Sequence, residues 1–145
     1  MIQLDTHNII NFLREKGLKV TSQRLAICSF ILSRKDHPTA EQIFQELRDE
    51  YPTISLGTIY KTLHLLKDLG LIQELGFNNG SIRYDPDMEL HVNMICSKCG
   101  KIYDYKTKNV KNLWDSILSE LNVKPVGQRI DVYYECDDCK NINST

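Results

Sequence analysis

The chain has 145 residues, 41% hydrophobic and 26% charged, the proportions of a soluble globular protein of one or two domains. Its formal net charge is −1, so the overall balance does not announce a nucleic-acid binder, and any DNA contact must come from a local face. No apolar run approaches a membrane span and the N-terminus lacks a basic-then-apolar signal pattern, which argues against a membrane protein and predicts a cytoplasmic one.

Residues 6–16 read as a short amphipathic helix with Ile9, Ile10 and Leu13 on one stripe, stopped by Gly17. Thr21 is the expected N-cap of a helix through Ser33, with Leu25, Ile27, Cys28, Ile31 and Leu32 apolar. Cys28, the odd one of five cysteines, reads as a small buried hydrophobe rather than a reactive thiol. After the polar linker Arg34-Lys35-Asp36-His37-Pro38, Thr39 caps a third helix reaching about Glu50, and Pro52 lies beyond its end. Ser55 caps a fourth helix over residues 56–69, with Leu56, Ile59, Leu63 and Leu66 inward and Gly70 as its stop. Leu71–Leu75 and Ser81–Tyr84 read as paired strands around the turn signal Asn78-Asn79-Gly80. Helices followed at once by a hairpin predict a winged helix-turn-helix whose fourth helix is the recognition element. Its outward residues Thr58, Tyr60, Lys61, His64 and Lys67 can donate to phosphates or reach base edges. The plainer reading of such a face is a solvated helix surface.

Asp85-Pro86-Asp87-Met88-Glu89 reads as a polar hinge, which sets the expected domains at 1–84 and 85–145. Residues 1–84 carry 10 Lys+Arg against 9 Asp+Glu, and residues 85–145 carry 8 against 10, so neither half is strongly basic and tight DNA binding would need a dimer. Val92–Cys96 and Lys101–Tyr105 read as short strands. Residues 109–121 form a helix with Val110, Leu113, Trp114, Ile117, Leu118 and Leu121 on one face, where Trp114 reads as core or interface. Arg129–Glu135 alternates, which predicts a strand with Ile130, Val132 and Tyr134 on a buried face. So few elements make little core of their own, and a metal or a partner subunit is expected to help.

Two Cys-x-x-Cys pairs, Cys96/Cys99 and Cys136/Cys139, have the spacing of a tetrahedral zinc site. Four thiolates leave no open coordination position, so the expected zinc is structural, one per subunit. Outside the thiolates, the candidate ligands are His37, Asp85, His91 and Asp104, with Asn93 on the same strand face as His91. Imidazole with carboxylate suits iron, manganese or zinc. Taken singly, His37 reads as a linker histidine and the two aspartates as solvated carboxylates. Sequence spacing alone does not bring these residues together.

The chain resembles the Fur family of metal-dependent transcription repressors over nearly its whole length. The resemblance is carried by Gly17-Leu-Lys-Val-Thr-Ser-Gln-Arg24, His37-Pro38-Thr-Ala-Glu41, Ser55-Leu-Gly-Thr-Ile-Tyr60-Lys-Thr-Leu63, Arg83-Tyr-Asp85, and His91 through Asp104. It implies an α+β protein: an N-terminal winged helix-turn-helix domain and a C-terminal α/β dimerisation domain with a four-cysteine zinc site. It implies a homodimer that binds palindromic operator DNA when a regulatory Fe or Mn, or Zn, is present. Cys96, Cys99, Cys136 and Cys139 match the structural zinc ligands. His37, Asp85, His91 and Asp104 match the regulatory site of the peroxide-responsive branch, which senses through histidine oxidation. Tyr60 and Lys61 match the recognition-helix contacts and Arg24 a contact to the operator's phosphate backbone; Ser55 and Thr58 are expected at the DNA beside them. One departure stands out: where the family has His-x-His, this chain has His91-Val-Asn93. The competing readings are an iron- or zinc-uptake regulator without peroxide sensing and, in a different class, a Cys-x-x-Cys dithiol redox protein. Nothing in the sequence names the general base or pocket of an enzyme.

Overall fold

In the computed structural model, which describes residues 5–76 and 80–142, three hydroxyls start three helices. Thr21 Oγ1 accepts from the Arg24 N–H at 3.1 Å and opens α2 (Ser22–Ser33). Thr39 and Gln42 form a reciprocal capping box that opens α3 (Ala40–Leu47). Ser55 Oγ accepts from the Thr58 N–H at 3.1 Å and opens α4 (Leu56–Asp68). Ahead of these, α1 (Thr6–Glu15) is capped by Asp5. The third helix stops at Leu47, short of the expected Glu50, because Arg48, Asp49 and Glu50 offer no apolar side chain to the core. The Asn78 and Asn79 of the expected hairpin turn lie outside the described residues. The strands on either side, β1 (Gln73–Gly76) and β2 (Ile82–Asp85), pair antiparallel with Gln73 opposite Asp85 and Glu74 opposite Tyr84.

The chain divides into two compact units, residues 1–88 and 89–145. The core of the first is a single cluster that includes Leu13, Ile27, Ile31, Ile43, Ile59, Leu63 and Tyr84. It brings α1 to α4 together around one apolar interior and sets the β1–β2 hairpin directly after α4, the order of a winged helix-turn-helix. Asp85 is the last residue of β2 and belongs to this unit, not to a free hinge.

The second unit is built on a three-stranded sheet of order β4-β3-β5, where β3 is Val92–Cys96, β4 is Ile102–Tyr105 and β5 is Ile130–Tyr134. Strands β3 and β4 are antiparallel, joined by the tight turn of the first cysteine pair; β3 and β5 are parallel. A parallel partner needs a long crossover, which α5 (Lys108–Leu121) supplies. It ends at Asn122 in the left-handed conformation, φ +52°. A short helix, α6 (Asp137–Ile142), follows β5.

The expected buried faces of α5 and β5 are not buried within one chain. No residue of α5 is buried, Leu113 and Leu121 are exposed, and on the expected face of β5 Val132 is 42% accessible while Ile130 and Tyr134 are only half-buried. The alternation marks a face that favours cover, but three strands, one long helix and the short α6 are too few to supply it.

Candidate metal centres

Each thiol of the cysteine cluster stands at the edge of an element in the second unit. Cys96 ends β3, Cys99 lies in the following turn, Cys136 follows β5 and Cys139 sits on α6. Gly100, at φ +73°, lets the first turn close, its N–H donating to the Cys96 carbonyl at 2.9 Å. The second turn closes through Lys140 N–H to the Cys136 carbonyl at 3.0 Å. Ser97 N–H donates to the Tyr134 carbonyl at 2.8 Å and draws the two turns together. The sulfurs interleave: Cys96 Sγ lies 3.8 Å from Cys139 Sγ, and Cys99 Sγ lies 3.8 Å from Cys136 Sγ. All four fall within 4.8 Å of one another. A tetrahedron with zinc–sulfur bonds of about 2.3 Å has edges of about 3.8 Å, so the cluster fits that ion.

Its electrostatics ask for a cation. Backbone N–H groups of Cys136 and Cys99 donate to Cys96 Sγ and hold its thiol down to about 6. Hydrogen bonding to Cys136, then burial, pushes Cys139 up to about 12. Thiols this close cannot all ionise without a positive charge among them. Cys28 is different: it is buried in the core of the first unit, and burial pushes its thiol up to about 11, as a small packed hydrophobe requires.

The other candidate ligands form one histidine–carboxylate group in each unit. In the first, Tyr84 N–H donates to the Pro38 carbonyl at 3.0 Å and Arg83 Nη1 donates to the His37 carbonyl at 3.4 Å, fastening the His37 loop to β2. That brings His37 Nε2 to 3.4 Å from Asp85 Oδ2. The Asp85 carboxylate is itself oriented by the Asp87 N–H, 2.8 Å from Oδ1, and by Gln73 Nε2, 3.4 Å from Oδ2. His37 holds a left-handed backbone, φ +52°, which costs a residue with a Cβ about 1–2 kcal/mol.

In the second unit, His91 immediately precedes β3 and Asn93 lies in it, two residues apart as their spacing predicts for a shared face, and both are buried. The Glu89 carbonyl, 2.7 Å from His91 Nδ1, can only accept, so Nδ1 carries the proton. Nε2 then faces Asn93 Oδ1 at 3.1 Å and Asp104 Oδ1 at 3.4 Å. Three acceptors converging on one point are reconciled by a cation. Imidazole, carboxylate and amide oxygen together are a donor set for iron, manganese or zinc.

Most of the expected DNA-contacting residues are engaged locally. Arg24 Nη1 donates to the Lys19 carbonyl at 2.6 Å. Ser55 and Thr58 share the cap of α4, their hydroxyls 2.9 Å apart. Tyr60 Oη donates to Glu41 Oε1 at 2.8 Å, which lowers the Glu41 carboxyl and raises the Tyr60 phenol. Lys61 is exposed on α4. His64 and Lys67 face Glu74 of β1, at 3.8 and 3.1 Å. The sequence reading missed Gln73, Glu41 and Asp131, whose partners lie far off in the chain; only strand register and helix packing identify them.

The sequence model of the ferric uptake regulator family matches residues 15–133. The peroxide-responsive repressor PerR of Staphylococcus saprophyticus is 33% identical over 140 residues, covering 97% of this chain and 95% of that protein. Among solved structures, PerR from Streptococcus pyogenes, described for peroxide sensing and gene regulation, aligns at 33% identity over 94% of each chain with a TM-score of 0.54. The ferric uptake regulator of Helicobacter pylori, described as having three functional metal-binding sites, aligns at 22% identity over 94% of this chain and 95% of its own, with a TM-score of 0.79, a likeness of fold.

Proposed function

Because the chain belongs to the ferric uptake regulator family, we propose that it is a cytoplasmic homodimeric repressor that binds palindromic operator DNA when its regulatory metal is present. The observation that carries this reading is the combination of a winged helix in one unit with histidine–carboxylate groups in both units. Cys96, Cys99, Cys136 and Cys139 hold one structural zinc per subunit. His37 and Asp85 of the reading head, with His91, Asn93 and Asp104 of the second unit, hold the regulatory ion. Iron or manganese, when bound there, supplies a dication that imidazole and oxygen donors can share. Ligands drawn from both units tie the orientation of the reading head to the dimer, a population shift toward the form that matches an operator. The exposed apolar side chains of α5 and β5 are the surface on which the second copy would sit. Arg24, Ser55, Thr58, Tyr60 and Lys61 face the DNA, positioning the protein on phosphates and base edges.

The test is operator affinity, read by fluorescence anisotropy on DNA from upstream of its own gene, against free Mn²⁺ or Fe²⁺. Saturating metal is expected to tighten binding by about 5–150-fold, with two metal equivalents per subunit by elemental analysis. An affinity indifferent to metal after mild chelation would count against the proposal. Peroxide sensing rests on the likeness to PerR and is checked separately. Mass spectrometry of iron-loaded, peroxide-treated protein should find one added oxygen on the His37 or His91 peptide; unmodified peptides leave a metal sensor alone. The dithiol reading is disfavoured because the sulfurs interleave between the two Cys-x-x-Cys pairs.

A further inference from the structure

The register of the second unit's sheet places three polar residues in a row. Asn93 on the central strand stands opposite Asp104 on β4 and opposite Asp131 on β5. Its amide is fully sandwiched, with Oδ1 3.1 Å from His91 Nε2 and Nδ2 donating to Asp131 Oδ1 at 3.0 Å. Asp131 is in turn held by the guanidinium of Arg129, Nε donating to Oδ1 at 2.9 Å and Nη2 lying 2.6 Å from Oδ2. The Nε hydrogen bond is charge-assisted, and the close ion pair at Nη2 adds to its hold on the carboxylate.

An amide's two ends have the same shape and opposite character: only the oxygen can ligate a metal, and the nitrogen presents two donors that repel one. Turning Asn93 over would set its oxygen against the Asp131 carboxylate and its NH₂ toward His91. Asp131 forbids that arrangement. We infer that Asp131, gripped by Arg129, is a positioning residue that locks the Asn93 oxygen toward His91 and Asp104, giving the regulatory site a hard oxygen donor that biases it toward Mn²⁺ relative to Zn²⁺. The inference rests on the regulatory-site reading above. Hard oxygen donors suit manganese, whereas zinc is served well by imidazole, and groups that orient a ligand commonly carry about 10–100-fold of metal affinity.

The experiment uses the full-length protein with one zinc per subunit in place, and measures Mn²⁺ and Zn²⁺ dissociation constants for the second site by competition with a chelating dye. Asp131→Ala is expected to weaken Mn²⁺ about tenfold while leaving Zn²⁺ nearly unmoved. Asp131→Asn keeps one oxygen as an acceptor for Asn93 Nδ2 but sets an NH₂ against Arg129 Nη2, so it is expected to weaken Mn²⁺ less than Asp131→Ala. A merely structural role would weaken both metals alike, so an unchanged Mn²⁺ to Zn²⁺ ratio in Asp131→Ala overturns the inference. Should that variant lose its structural zinc, Asn93→Ala carries the test: it is expected to lose Mn²⁺ selectively, and unaltered Mn²⁺ affinity overturns the inference. If wild type takes up no second metal, the regulatory site itself fails; if it does and Asp131→Ala leaves the ratio unshifted while Asn93→Ala shifts it, only the positioning role fails.

Discussion

Replacing Cys136 by serine is expected to strip the structural zinc and unfold the second unit while the first stays folded. The reason lies in what that unit buries. Among the described residues its buried apolar side chains are Val92, Ile95, Cys96, Ile102 and Cys136, and two of these are thiols of the cluster. Without the ion, three aliphatic side chains remain to order about sixty residues, far too few at about 1.5–3 kcal/mol each. Structural zinc in small domains contributes roughly 10–16 kcal/mol at neutral pH, comparable to the whole stability of a typical domain. The first unit has its own core, drawn from residues 9–84, and does not depend on the thiols. Elemental analysis should therefore read no zinc, and amide NMR should retain dispersed signals only from the first unit, α1 to α4 with β1 and β2. Chelation or acid reaches the same state, since departing thiolates must take up protons. A Cys136→Ser protein that keeps a native second unit without zinc would refute this account.

The second large effect concerns the regulatory site. His91→Ala is expected to leave operator affinity in Mn²⁺ at the metal-free value, a loss of about 5–150-fold, with the structural zinc and the dimer intact. His91 is buried and its Nε2 is the point on which Asn93 Oδ1 and Asp104 Oδ1 converge, so alanine removes the donor that organises the other two. His37→Ala, in the other unit, is expected to give the same loss, because the proposed coupling needs ligands from both sides. Reciprocity adds a stricter check: if metal tightens operator binding by some factor, operator must tighten metal binding by that same factor. Wild-type Mn²⁺ affinity measured with and without operator should show it. A His91→Ala protein that still responds fully to Mn²⁺ would remove the regulatory role of this cluster.

Local chemistry made much of the fold readable. Thr21, Thr39 and Ser55 each cap the helix expected of them, because a hydroxyl before an apolar period answers a need of the backbone that is purely local. The six residues of α6 escaped notice: Asp-Asp-Cys-Lys-Asn-Ile has no apolar stripe, and its helix is set by the Cys136–Cys139 turn. The exposed face of β5 shows the complementary failure, since alternation identifies a face without saying whether one chain can cover it. At the candidate site, the residue types were legible and their partners were not. His37 meets Asp85 because the Pro38 carbonyl is bonded to β2, and Asn93 meets Asp131 because β5 runs parallel to β3 in one particular register. Neither fact has a signature in spacing.

The left-handed backbone at position 37 sets two demands against each other. Glycine would sit there without steric penalty, and in doing so would delete the imidazole that faces Asp85. Relief of the backbone and retention of the side chain therefore cannot be had together at this position, and the gain from the one is set against the cavity left by losing the other.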